Sequence, residues 1–148
     1  MQPGHTDLNR AVAASLAEAW DSGDITPTAN YYRESGIEWR KIDLDQDGVD
    51  EAICSPSHAV FKGDKPHSVM GATGNGPCFL FRQYDGNWIQ IADLSGETYW
   101  IDEQRFNDWP IIITDWDMGG HERGRKVLAF DGVAYRSVHQ YSIAIDAE

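Results

Sequence analysis

Residues 78–92 read CFLFRQYDGNWIQIA and place an Asp-Gly pair between two apolar runs. Asp85-Gly86 is a pair that a type I′ turn favours, because both central residues of that turn adopt a positive φ. The aromatic and aliphatic residues on either side have high β propensity. The stretch therefore predicts a β-hairpin with strands at 78–84 and 88–92, and an antiparallel sheet built around it.

A second stretch repeats this pattern later in the chain. Residues 126–138 read KVLAFDGVAYRSV, and their Asp-Gly pair lies 46 positions after the first one. Each pair follows an apolar run and a Gly-containing loop. The similarity indicates a duplicated antiparallel meander, like two blades of a propeller. The alternative is that two similar hairpins arose by chance.

Further β-type runs lie on both sides of the hairpins. They are residues 37–42, 52–54, 59–61, 97–101, 110–116 and 140–145. Residues 62–77 are rich in Gly and Pro and are predicted to be mostly loop.

The N-terminal region has helical rather than β character. Apolar and small residues recur at helical spacing from Leu8 to Trp20, after an N-cap at Thr6 and before Gly23. The pattern predicts a helix over 7–21 that packs on the sheet; a helix that binds a partner is the alternative. The predicted fold class is α+β, mainly antiparallel β, in a single domain over 1–148 with its β region at 37–145.

The composition narrows the classes of partner. The chain has a net charge of -12 and a pI near 4.6, so nucleic acid and anionic membrane surfaces would repel it. Its apolar runs are all shorter than the roughly 20 residues that span a bilayer. The charge favours a cation or a basic protein as partner, or it serves solubility alone.

An acidic loop, residues 43–51 (DLDQDGVDE), carries the strongest chemical signal. Calcium takes six to eight hard oxygen ligands at flexible distances, and carboxylates at alternate positions of a loop can converge on one ion. Gly48 permits the sharp turn, and the next residue offers its backbone carbonyl. The predicted calcium ligands are Asp43, Asp45, Asp47, Val49 and Glu51.

The acidic loop differs from an EF-hand. An EF-hand has Glu at position 12 and helical flanks, whereas this loop has Cys54 there and strands on both sides. It resembles the calcium loops of FG-GAP and integrin-type propeller repeats, Asp-x-Asp-x-Asp-Gly-x-x-Asp, with Glu51 in the last place. The alternative is an acidic turn that holds no ion.

The two cysteines, Cys54 and Cys78, are predicted to form a disulfide. The bridge would close a loop of 23 intervening residues and contribute about 3 kcal/mol through loop entropy. The alternative is two buried thiols. A disulfide together with a calcium-type loop favours an oxidising compartment, so we expect a periplasmic or secreted protein, although residues 1–4 (MQPG) lack a signal-peptide pattern.

Residues 115–124 (DWDMGGHERG) form the second candidate site. Trp and Met can anchor a protein contact, and the flanking Gly residues make the segment adaptable. The alternatives are an ordinary exposed loop and a catalytic or metal site. The predicted partner-binding residues are Asp115, Trp116, Asp117, Met118, His121 and Glu122, with Asn75 from the Gly-rich segment 71–77.

A wider resemblance spans residues 37–138. The order is an acidic loop, a Gly-rich segment ending at Cys78, an aromatic strand with Asp-Gly, residues 107–110 (NDWP), and a final FDGVAY at 130–135. This order is similar to small periplasmic proteins of blade-like β type, including type VI secretion immunity proteins. The resemblance implies a protein inhibitor that occludes a secreted peptidoglycan hydrolase.

Two other functions are compatible with the sequence. A calcium-dependent carbohydrate or cell-wall binding module would use exposed Trp residues as stacking platforms. A hydrolase would use the acidic residues and His121 of the second candidate site. We expect a binding protein and not an enzyme, because the chain lacks a Gly-x-Ser-x-Gly elbow and a His-x-x-x-His pair.

Overall fold

The chain folds mainly into antiparallel β-structure. The structure is a computed structural model that describes residues 10–12, 14–15, 37–56, 58–60, 66–68 and 76–144. The strands in these ranges are β1 (Ile37–Ile42), β2 (Glu51–Pro56), β3 (His58–Val60), β4 (Pro66–Ser68), β5 (Phe79–Tyr84), β6 (Asn87–Asp93), β7 (Thr98–Phe106), β8 (Trp109–Asp117), β9 (Glu122–Phe130) and β10 (Tyr135–Ala144). The prediction of a mainly antiparallel β fold is confirmed.

The strands form two four-stranded sheets. The N-terminal sheet has the order β1-β2-β5-β6, and the C-terminal sheet has the order β10-β9-β8-β7. The short β3–β4 pair is inserted between β2 and β5, so both sheets are simple meanders. In each sheet the Asp-Gly turn joins the third strand to the fourth, which agrees with a repeated meander. The described ranges form no closed propeller.

Both predicted hairpins are present. Asp85 and Gly86 have φ values of 51° and 77°, as a type I′ turn requires, and Tyr84 pairs with Asn87 across the turn. The second turn is longer than the first, since four residues, 131–134, separate the paired residues Phe130 and Tyr135. Within it, Asp131 N–H donates to the Ala134 carbonyl at 2.9 Å.

The strand boundaries differ from the predicted ones where polar residues pair. β9 begins at Glu122, four residues before the predicted start, because residues 122–125 pair with β8 and β10. β10 is one strand with a register shift between Ser137 and His139, where two separate strands were predicted. β4 was predicted as loop. Local propensity did not show these pairings, because the partner strand supplies them.

The N-terminal helix is described only in part. Residues 10–12 and 14–15 are helical, and the rest of the predicted helix 7–21 lies outside the described ranges. Val12 and Ser15 are buried. Two buried residues three positions apart lie on one face of a helix, as the predicted packing stripe requires.

The two sheets share one hydrophobic core. Trp109 stacks on Phe130 with ring centroids 4.3 Å apart, and the Tyr135 hydroxyl donates to the Pro110 carbonyl at 2.7 Å. The buried members of this cluster are Leu44, Ile53, Cys78, Leu80, Ile91, Ala92, Leu94, Trp109, Ile112, Leu128, Phe130 and Tyr135.

Alternate connections of a meander lie at opposite ends of its sheet. We call the end that carries residues 43–50, 85–86, 107–108 and 131–134 the turn end. Gln83 Nε2 donates to the Asp50 carbonyl, and Asn107 Nδ2 donates to the Phe130 carbonyl, both at 2.9 Å. The β8–β9 hairpin tip, residues 118–121, lies at the other end. The two candidate sites are therefore at opposite ends of the molecule.

We expect Gly124→Ala to destabilise the C-terminal sheet strongly. Gly124 lies opposite Trp116, and a Cβ at this position would meet Trp116 Cε2 at 2.0 Å. Overpacking of this kind costs about 2–3 kcal/mol. Urea unfolding would measure the loss.

Gly86→Ala is the control for the Gly124 substitution. A Cβ there has open space around it, and only the positive φ opposes it, so the cost should be about 1 kcal/mol. Adding Trp116→Ala to Gly124→Ala should recover part of the loss. A Gly124→Ala variant as stable as the wild type would contradict this packing.

Candidate metal site

The acidic loop between β1 and β2 is wound around its first carboxylate. Asp43 Oδ1 accepts from Asp47 N–H at 3.2 Å, and Asp43 Oδ2 accepts from Gly48 N–H at 2.8 Å. Asp47 Oδ1 in turn accepts from Val49 N–H at 2.8 Å. Gln46 and Gly48 have φ values of 61° and 88°, so Gly48 supplies the left-handed turn predicted for it.

Four carboxylates converge inside this loop. Each offers one oxygen, and these oxygens lie within 4.8 Å of one another. The group can hold a metal ion, as the spacing of the acidic residues predicted. Its members are Asp43, Asp45, Asp47 and Glu51.

Glu51 forms the buried floor of the cluster. Its side chain is only 1% exposed, and its Oε1 accepts from Leu44 N–H at 2.7 Å. The pKa of Glu51 is raised to about 7, chiefly by burial and also by the neighbouring carboxylates, although the hydrogen bond from Leu44 N–H lowers it. Burial and the nearby Asp47 likewise raise the pKa of Asp45 to about 6. Full ionisation of the cluster is therefore unfavourable unless a bound cation compensates the negative charge. Without a cation, the cluster tends to keep protons.

One oxygen of the cluster has no hydrogen-bond partner. Asp45 Oδ1 is buried, and no group in the described part of the chain donates to it. A buried acceptor without a donor is unfavourable by about 1–3 kcal/mol. A cation bound among the four carboxylates would satisfy this oxygen.

The loop is tied to the body of the fold. Leu44 belongs to the shared core, and its carbonyl accepts from Arg105 Nη2 at 2.7 Å. The same Nη2 donates to the carbonyl of Asp108 in the β7–β8 turn. Both sheets therefore hold the loop in place, and ion binding there is coupled to the stability of the whole fold.

Val49 and the identity of the metal remain predictions. The Val49 N–H is bonded within the loop, and its carbonyl was predicted as a ligand at position 7. The four carboxylates show that hard oxygen donors are available, which suits Ca²⁺, Mg²⁺ or Mn²⁺.

The second candidate site is a β-hairpin, formed by the paired ends of β8 and β9 and the four residues between them. Asp115 is buried and paired with Arg125, whose Nε and Nη2 donate to its two oxygens at 2.7 and 2.9 Å. Trp116 is half-buried over Gly124. Asp115 and Trp116, which were predicted to contact a partner, lie in the stem of the hairpin, and their role in partner binding stays a prediction.

The tip of this hairpin is the exposed part. Met118 is 49% exposed, and His121 and Glu122 are also exposed. Asp117 is half-buried, and its Oδ1 accepts from Gly119 N–H at 2.7 Å. The structure thus brings Met118, His121 and Glu122 together at one surface, while Asn75 lies outside the described residues.

Both cysteines are free, so the prediction of a disulfide between them is wrong. Cys54 lies opposite Phe79 in the β2–β5 register, and Cys78 accepts from Ser55 Oγ at 3.4 Å. Successive residues of a strand point to opposite faces, so the two sulfurs lie on opposite faces of the sheet. Burial raises the pKa of Cys54 to about 12 and that of Cys78 to about 11. The cysteines therefore no longer support an oxidising compartment.

Two arginines matter to the candidate sites and were missed by the sequence analysis. Arg105 binds a carbonyl of the acidic loop 61 positions away, and no local pattern indicates this contact. Arg125 lies opposite Asp115 across the hairpin. A correct register for β8 and β9 would have predicted that pair, because opposite charges favour cross-strand positions.

Comparisons with family models, with curated proteins and with solved structures found no match to this chain. Within the described ranges, no helix has the length and apolar character needed to cross a membrane.

In chelator, we expect stability to fall as pH rises from about 4.5 to 7. The pKa of Glu51 is raised to about 7 in the folded state from 4.5, so the folded protein binds more protons over that range. The loss should be up to about 3 kcal/mol. Urea unfolding at a series of pH values would measure it.

Glu51→Gln is the matched variant for this pH series. The amide oxygen can still accept from Leu44 N–H, but the side chain does not titrate. The variant should therefore lose less stability between the same pH values. Equal losses in the two proteins would show that Glu51 is not the group responsible.

Proposed function

We propose that this chain is a calcium-stabilised protein inhibitor of the immunity type. It acts outside the cytoplasm and occludes the active cleft of a secreted cell-wall hydrolase. The observation that carries the proposal is the β8–β9 hairpin, whose stem is held by hydrogen bonds and ion pairs and whose tip is exposed, at the end of the molecule opposite the acidic loop. A preformed projection of this kind can enter a cleft without a large ordering cost.

Three contacts hold the stem of the hairpin in place. Arg125 holds Asp115 with two hydrogen bonds. Arg123 Nη2 lies 3.2 Å from Glu97 Oε2, and Glu97 N–H donates to the Asp115 carbonyl at 2.8 Å. These contacts tie β8 and β9 to each other and to Glu97, the residue immediately before β7, close to the tip. They support a recognition element whose shape is set before binding.

The tip itself combines apolar and polar contacts. Met118 supplies a flexible apolar side chain that adapts to a pocket, and its N–H donates to the Glu122 carbonyl at 3.2 Å across the tip. Glu122 and His121 supply polar groups at the rim. The net charge of -12 would steer the protein toward a basic target and raise the association rate.

The role proposed for calcium is structural. Three aspartates and one glutamate offer the hard oxygens that Ca²⁺ prefers, and Mg²⁺ favours sites with fewer carboxylates and more waters. Leu44 and Glu51 anchor the loop in the core, so the ion would stabilise the fold at a distance from the hairpin tip.

The tryptophans favour a protein target over a glycan. Trp88 and Trp109 are buried, while Trp100 and Trp116 are half-buried. The Arg125 guanidinium also lies 4.8 Å from the Trp100 ring centroid. Of the tryptophan side chains that the structure describes, none is an exposed stacking platform. A carbohydrate-binding module remains the alternative proposal.

Calcium should raise the thermal stability of the protein. At one hundred times its Kd, a ligand stabilises the native state by about 2.7 kcal/mol. Asp45→Asn should lose most of the shift in Tm, because the variant removes one charged ligand. Asp85→Asn is the control, since its turn lies outside the cluster and accepts Asn equally well. No shift in millimolar calcium would contradict the calcium assignment.

The inhibitor proposal predicts a target that cleaves peptidoglycan. The protein, immobilised in calcium buffer, should capture a hydrolase from the cell envelope of its source organism. Adding the protein should then slow clearing of purified peptidoglycan by that hydrolase. Met118→Asp should weaken inhibition at least tenfold by placing a charge in the contact.

Val133→Asp is the control for the Met118 variant. Val133 is 76% exposed and lies at the turn end, away from the hairpin tip, so inhibition should be unchanged. Equal effects of the two variants would place the contact elsewhere. Capture of proteins without peptidoglycan-cleaving activity would contradict the proposal itself.

A further inference from the structure

β10 forms one edge of the C-terminal sheet. It pairs with β9 on one side, and no strand in the described ranges pairs with its other side. Apart from buried Tyr135 and half-buried Ile143, its residues are exposed. An edge strand presents a row of unpaired N–H and C=O groups that can pair with another strand.

Most of this edge carries no charged residue, although the chain is strongly acidic. Residues 137–144 read SVHQYSIA and contain no Asp, Glu, Lys, Arg or Pro. Edge strands commonly carry charges or Pro, which discourage pairing with another chain. The edge strand β1 has Arg40 and Lys41 near its end, and β7 has Asp102 and Glu103 within an irregular part of its pairing. The edge strand β6 has one charged residue, Asp93, at its end, so its uncharged stretch is shorter than that of β10.

The regular part of the edge is long enough to pair. The register shift of β10 lies between Ser137 and His139. From His139 to Ala144 the pairing with β9 is continuous over six residues, or about 20 Å of strand. The bulge therefore limits the usable edge without removing it.

We propose that β10 pairs antiparallel with β10 of a second copy of this chain, through residues 139–144. The donors and acceptors along one strand edge match those of an identical edge related by a two-fold axis. The C-terminal sheets of the two copies, with four strands each, would join into one continuous sheet of eight strands.

The distribution of charge favours a second copy as the occupant. Two chains of net charge -12 repel each other, and their approach is least opposed where both surfaces lack carboxylates. Tyr141, which is 37% exposed, lies 4.9 Å from the His139 ring between centroids. Pairing at this edge would bury part of that aromatic surface in each copy.

Sedimentation equilibrium over a range of concentrations tests the proposal. The wild-type chain should form a species of twice its 16.6 kDa mass. Added salt should strengthen the dimer, because it screens repulsion between two acidic chains. Salt would weaken an association that depends on attraction to a basic partner. A wild-type chain that stays monomeric at about 100 μM would overturn the proposal.

Ser142→Asp should weaken the dimer at least tenfold, because two new charges would meet near the two-fold axis. Val133→Asp also adds one negative charge at an exposed position, but in the loop before β10, and should leave the dimer unchanged. Circular dichroism would check that both variants fold. Equal weakening by the two substitutions would assign the effect to net charge and overturn the pairing.

Cross-linking provides a second measurement. Under mild oxidation, Ser142→Cys should form an intermolecular disulfide several times faster than Val133→Cys. The native cysteines should not interfere, because both are buried. Equal rates for the two variants would also overturn the pairing at β10.

Discussion

Repulsion among four carboxylates whose oxygens lie within 4.8 Å is the constraint on which this structure depends most. The fold does not relieve that repulsion by separating the groups. It anchors the loop through Leu44 in the core and keeps Glu51 buried beneath it. The protein therefore needs protons or a cation at this place, and the stability of the rest of the fold is linked to which of them is present.

The meander topology decides how far this constraint extends. Alternate connections lie at opposite ends of the sheets, so the acidic loop shares the turn end with residues 85–86, 107–108 and 131–134. The tip of the β8–β9 hairpin lies at the other end. Arg105 connects the acidic loop to the C-terminal sheet. An ion in the loop can thus stabilise the sheet that carries the hairpin without touching the surface proposed for recognition.

Much of the candidate metal site could be predicted from the sequence, because its ligands lie within nine consecutive residues. Alternating Asp residues and a glycine in a left-handed conformation are local features. The bracing of the site was not predictable in this way. Arg105 lies 61 positions from Leu44, and the burial of Glu51 depends on how the two sheets pack.

The cysteines and the second candidate site show the limit of sequence patterns more clearly. Cys54 lies on β2 and Cys78 immediately precedes the adjacent strand β5, so the two residues are close in the sheet, but the register turns them to opposite faces. The sequence placed Asp115 in a Gly-rich segment and predicted that it contacts a partner, whereas Arg125 holds it in a buried ion pair. In both cases a one-residue change in strand register would reverse the outcome.

The sequence by itself determined the antiparallel hairpins, their Asp-Gly turns and the acidic loop. These features follow from backbone preferences and charge over a few neighbouring residues. Only the tertiary structure decided which side chains are buried, which charges are paired and which strand edge has no partner among the described strands. Those properties depend on contacts between residues far apart in the chain, and local patterns carry no information about them.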